Sequence, residues 1–109
     1  MAHYLWQLAY STEGWAALVK NPQNRIEAVR PAVEKLGGKI ESGWFSFGKY
    51  DLVAIVQFPD NVSAAAMAMA VAAAGATRSF QTTPLLSQDE GVAAMKKAAA
   101  SSYKPATKA

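Results

Sequence analysis

Cysteine is absent from the chain, and histidine occurs once, as His3. The first absence excludes disulfides, thiolate nucleophiles and cysteine-ligated metals, and is compatible with a reducing, cytoplasmic setting. The second leaves no His/Cys cluster; as a haem or metal ligand His3 would stand alone, so no metal and no cofactor is expected. Charge is sparse as well. Charged residues make up 17% of the chain against 51% hydrophobic, which rules out a compositionally disordered protein and allows a real core. No apolar run is long enough for a membrane span, which needs about 20 residues; the longest, "VSAAAMAMAVAAAG", stops at Gly75. The opening "MAHYLWQLAYSTEGW" lacks a basic segment followed by an apolar stretch, so no signal peptide is expected. Nucleophile-elbow, phosphate-loop, dinucleotide and zinc-protease motifs are all missing.

The net charge of +3 is a local feature. Lys96, Lys97, Lys104 and Lys108 follow residue 94 with no acid among them, leaving seven basic and eight acidic residues before it. The body is therefore near neutral and the end is basic. One domain over residues 1–100 is expected, with residues 101–109, "SSYKPATKA", as a flexible basic tail. Such a tail could meet nucleic acid, but a solvated end explains it as well, and no nucleic-acid or membrane partner is expected.

"HYLWQLAY" (3–10) reads as an aromatic-rich strand with Tyr4, Trp6, Leu8 and Tyr10 on one face and Leu5, Gln7 and Ala9 on the other. Ser11 or Thr12 can cap a short helical turn. Asn21-Pro22 reads as the start of a helix whose stripe is Ile26, Val29, Val33 and Leu36, kinked by Pro31 and stopped at Gly37-Gly38. "KIESGWFSF" and "YDLVAIVQF" form a hairpin with its tip at Gly48-Lys49. Pro59-Asp60-Asn61 caps a helix over 62–74 that is apolar all round, hence expected to be well buried. "TRSFQTTPLL" is a fourth strand, and the Ser87/Glu90 capping box opens a last helix to about Ala100. This βαββαβα order predicts an α+β, ferredoxin-like plait with one antiparallel sheet in the order 4-1-3-2 and an extra C-terminal helix.

The third strand is greasy on both faces: Leu52, Ala54, Val56 and Phe58 on one, Val53, Ile55 and Gln57 on the other. Helices cover one face of such a sheet, and the other would normally be polar. An uncovered apolar face is best buried against a second copy, which predicts a two-fold homodimer, sheet against sheet. Alternatively the last helix and the 14–20 turn fold over that face.

The stretch "FGKYDLVAIVQFPD", with Gly48, Lys49, Tyr50 and Asp51 before an apolar strand, resembles the GYD domain family. The later "GATRSFQTTPLL" is similar to the family's last strand, with Arg78 at its arginine position and Ser79 where threonine is common. The likeness covers roughly residues 3–90; Pro31 and the Ala/Lys tail depart from it. The resemblance implies a dimeric α/β barrel. It implies no particular activity, because such proteins are small, mostly bacterial and largely without one assigned, while the wider superfamily spans cofactor-free monooxygenases, isomerases, haem enzymes and ligand-binding modules.

Candidate site residues follow from position. Tyr50 and Asp51 begin a strand, where Asp51 could serve as base or ligand acceptor, or simply accept turn hydrogen bonds while Tyr50 packs at a dimer rim. Arg78 lies in a strand and could hold an acidic ligand; the topology is read as placing it near Gln57 and Tyr10, at the opposite end of the sheet from Asp51. Trp6, Tyr10 and Trp44 could line a gap between sheet and helices for a small apolar or planar ligand, or could be core. Gln7 and Gln57 share a face and could bond each other. The reading is a cytoplasmic homodimeric module for a small ligand or an accessory role. The alternative is a cofactor-independent monooxygenase- or isomerase-like enzyme acting on a small apolar or aromatic molecule.

Overall fold

The computed structural model describes residues 1–108; Ala109, the last residue of the tail, lies outside them. In chain order come β1 (Ala2–Tyr10), α1 (Thr12–Lys20), α2 (Arg25–Lys35), β2 (Lys39–Phe45), β3 (Leu52–Phe58), α3 (Asn61–Ala74), β4 (Thr77–Leu85) and α4 (Gln88–Ala100), then a short 3-10 turn at Ala106–Lys108. The strands form one sheet, β2-β3-β1-β4, with every neighbouring pair antiparallel. This is the expected α+β, ferredoxin-like arrangement, read from the other edge. No helix among the described residues is long and apolar enough to cross a membrane.

The first crossover is richer than the sequence reading. The turn after β1 is a full helix, α1, whose cap Ser11 accepts a hydrogen bond from the Gly14 N–H at 3.1 Å. Helix α2 starts at Arg25, not at Pro22. Asn24 caps it by accepting from the Glu27 N–H at 3.1 Å, and the apolar stripe begins only at Ile26, so the later asparagine loses no burial. The helix runs through Pro31 and is closed by Gly37 at φ 80°. The β2–β3 connection is also longer than a two-residue turn at Gly48-Lys49. It spans residues 46–51, closed by the Ser46 N–H to the Asp51 carbonyl (2.8 Å) and by Ser46 Oγ to the Tyr50 carbonyl (2.6 Å).

Alternation decides the core. Tyr4, Trp6, Leu8 and Tyr10 of β1 and Leu52, Ala54, Val56 and Phe58 of β3 are all buried on the helix side, with Val33, Ala64 and Met67 above them. Trp6 packs tilted on Phe58 and edge-on to Phe80, centroids 6.2 and 5.4 Å apart. Tyr4 ties the sheet to α3 by donating its hydroxyl to Asn61 Oδ1 at 2.6 Å. Helix α1 docks closely because Gly14 has no side chain; a Cβ there would stand 2.2 Å from the Ala76 carbonyl oxygen.

One expectation needs correction, and one alternative is set aside. Helix α3 is not well buried: only Ala64 and Met67 are, while Val62 and Met69 are 80% and 70% exposed. An all-apolar helix offers no pattern that separates inside from outside, and no element among the described residues covers its outer side. Nor do α1 and α4 cover the second sheet face. Trp15 of α1 packs edge-on to Tyr10 and tilted against Phe45, which pairs with Leu52 on the helix side, and α4 buries none of its residues. The second face keeps Leu5, Val53 and Ile55 half-buried and Trp44, opposite Val53, 71% exposed.

Candidate functional site

A cleft of about 210 Å³ opens between the helix side of the sheet and helices α2 and α3. Trp6, Leu8 and Tyr10 of β1, Leu52 of β3 and Phe80 of β4 form its floor. Val29 of α2 and Met67 and Val71 of α3 form its walls. The alternation that builds the core also builds this floor: the cleft exists because α3 brings alanines at positions 70 and 74, too short to fill the space. Its polar contributions come from the Tyr10 hydroxyl, Thr77 and Arg25; no carboxylate or imidazole lines it. Beneath it, Trp6 Nε1 and Thr82 Oγ1 are buried with no hydrogen-bond partner, on residues that face each other across β1 and β4.

Tyr10 is the residue on which the site is organised. Burial pushes the pKa of its hydroxyl up, the nearby Arg25 guanidinium partly opposes this by attraction and hydrogen bonding, and the Asp51 carboxylate adds to the rise. The backbone there is held by Asp51, which is buried. Its Oδ2 accepts the Tyr10 N–H at 2.9 Å, and its own N–H donates to the Leu8 carbonyl at 2.7 Å. The side chain thus continues the β1–β3 ladder for one more rung, beyond the Leu8–Leu52 pair. A raised Tyr10 pKa means that the folded form keeps the proton and is destabilised as pH rises above the unfolded value, about 10. Followed by tyrosinate absorbance, Tyr10→Phe should remove a component that ionises above the ordinary tyrosine value, about 10.

The sequence candidates separate into three groups. Trp6 and Tyr10 line the cleft. Asp51 lies behind it as a backbone acceptor, and Tyr50 is half-buried in the 46–51 loop with the Lys49 ammonium 5.7 Å from its ring. Trp44 is on the other face, and Arg78 is exposed. The register of β1 against β4 passes from Ala9–Ser79 to Tyr10–Thr77, so Arg78 is the unpaired residue of a bulge. Asp51 and Arg78 are not at opposite ends of the sheet. β3 and β4 both run antiparallel to β1 and so start at the same end, on either side of Tyr10. Gln57 sits at the far end, opposite His3, away from Arg78 and four β1 residues from Gln7. Its amide donates to Glu41 Oε1 at 2.6 Å, the oxygen that His3 Nε2 also meets at 3.2 Å. No group of three or more His, Cys, Asp or Glu residues able to hold a metal occurs among the described residues.

Arg25 was the residue that sequence reading missed. As the first residue of α2 it reads as a surface charge, yet it stands four positions before Val29 and therefore shares that residue's face. That spacing was the available signal.

A ferredoxin-like α+β domain with an apolar cleft under its helices is the class of protein that fold and site define. Within that class the chain belongs to the GYD domain family, whose model matches residues 4–95. No curated protein and no solved structure matches it.

Proposed function

We propose that the protein is a homodimeric small-ligand-binding module, taking an apolar or aromatic molecule into the cleft of each subunit. The observation that carries this reading is the cleft itself: about 210 Å³ with a floor of Trp6, Tyr10, Leu52 and Phe80. A dry cavity of about 150 Å³ is enough to hold benzene, so a substituted six-membered ring is of the right size. Sheet-to-sheet pairing is supported by the half-buried Leu5, Val53 and Ile55 and the exposed Trp44 on the second face. Helix α4, with Val92 and Met95 exposed and none of its residues buried, adds apolar surface for a second copy to bury.

The runner-up reading, a cofactor-independent enzyme of the monooxygenase or isomerase type, is favoured by one observation: a hydroxyl, that of Tyr10, next to Arg25 in an apolar pocket. Binding is preferred because neither Asp51, Arg78 nor His3 lines the cleft.

The test is a titration with phenylacetamide, a neutral aromatic probe, followed by NMR at the Trp6 indole N–H and the Met67 methyl. Saturable shifts at both, absent in Ala70→Trp, where an indole fills the space, support the reading. Shifts elsewhere only, or shifts unchanged in Ala70→Trp, would overturn it.

A further inference from the structure

Arg25 is half-buried at the mouth of the cleft and has no carboxylate partner among the described residues. Its Nη1 donates to the amide oxygen of Gln23 at 2.7 Å. The nearest acid along its helix, Glu27, is taken by Arg30 in a two-point contact of 3.0 and 3.2 Å. Asp51 is behind the cleft floor and spends Oδ2 on the Tyr10 backbone. An arginine that is partly desolvated without a counter-charge is costly to hold, and its fork of donors is shaped for a carboxylate. The α2 N-terminus on which it stands adds positive potential of the same sign.

Beside Arg25 stands Tyr10, whose hydroxyl the guanidinium reaches by attraction and hydrogen bonding. Its hydroxyl, a phenol of ordinary pKa about 10, is protonated at neutral pH and carries a proton it can donate. Two donors of different kinds therefore flank one edge of a pocket whose remaining lining is almost wholly apolar. On its outer side Arg25 also borders a broader groove with Gln23 and Arg30, which leaves room for a charged group to remain partly in water.

Resting on the small-ligand reading above, we propose that the ligand is a small apolar carboxylic acid, its ring or chain between Trp6 and Met67 and its carboxylate held at the mouth by Arg25 and the Tyr10 hydroxyl. The cleft then selects acids over neutral molecules of the same shape. Arg25 supplies the charge, Tyr10 a directional hydrogen bond, and Asp51 positions Tyr10 without touching the ligand.

The experiment compares phenylacetate with phenylacetamide, which share a ring and a one-carbon spacer and differ in charge. Dissociation constants are measured by NMR titration on the full chain. Phenylacetate should bind tighter by about tenfold, the worth of a charge-assisted hydrogen bond net of desolvation. Arg25→Gln should abolish that preference by weakening acid binding far more than amide binding, and Arg25→Lys should keep part of it, as a point charge without the fork. Dispersed spectra of both variants establish that they are folded. Equal binding of acid and amide by the unaltered protein, or a preference that survives Arg25→Gln, overturns the carboxylate proposal and leaves the apolar cleft standing. Failure of both probes to shift any cleft resonance overturns the binding reading itself, and the carboxylate proposal with it.

Discussion

Replacing Ile55 by lysine is expected to turn a dimer into a monomer. Ile55 is in the middle of the second sheet face, between Leu5 of β1 and Ser42 of β2. If that face meets its own copy, two-fold symmetry places the new ammonium groups in the same apolar layer, each without a counter-charge. The cost of an unpaired buried charge is several kcal/mol, and each 1.4 kcal/mol weakens association about tenfold. The dissociation constant should therefore rise by roughly a hundredfold or more. Light scattering after size-exclusion chromatography reads this directly. Ala32→Lys, which puts the same charge on the exposed side of α2, should leave the mass unchanged. Should Ile55→Lys run as a dimer, the sheet-to-sheet pairing is wrong.

Asp51→Ala is expected to give the largest loss of monomer stability among changes near the site. The substitution leaves the Tyr10 N–H without its acceptor, now 2.9 Å away, in a place shielded from water. A hydrogen bond to a charged group contributes about 1.5–3 kcal/mol, and an orphaned buried donor loses most of that. For a domain of this size the melting temperature should fall by about 10 °C or more. Asp51→Asn keeps an acceptor oxygen and should cost less than half as much. If Ala and Asn behave alike, the ladder role assigned to Asp51 is mistaken. In this chain the aspartate acts as an extra backbone carbonyl, holding the strand that carries Tyr10.

Much of this architecture could be read from residue order because its signals are local. The alternation of β1 and β3 sorts Tyr4, Trp6, Leu52 and Phe58 from Leu5, Val53 and Ile55 without reference to anything else. The capping box at Ser87 and Glu90 forms as written, with both reciprocal hydrogen bonds. What was not legible depends on neighbours that pattern does not encode. Asn21 and Asn24 are equally good caps, and the choice falls to the one that starts the helix next to Ile26. The apolar helix α3 carries no face preference, so its exposure follows only from the absence of a layer above it. Trp44 and Arg78 look like ligand contacts by residue type. The register, Trp44 opposite Val53 and Arg78 in a bulge, sends them elsewhere. The cleft is legible only after folding, since it is a space left by alanines 70 and 74 rather than a motif.

The account as a whole is tested most directly by native mass spectrometry of the protein in the presence of phenylacetate. It predicts a species of twice the 11.6 kDa chain mass, carrying up to two ligand molecules, with the adducts lost in Ala70→Trp. A monomer at micromolar concentration, or a dimer that takes up no ligand, would contradict it.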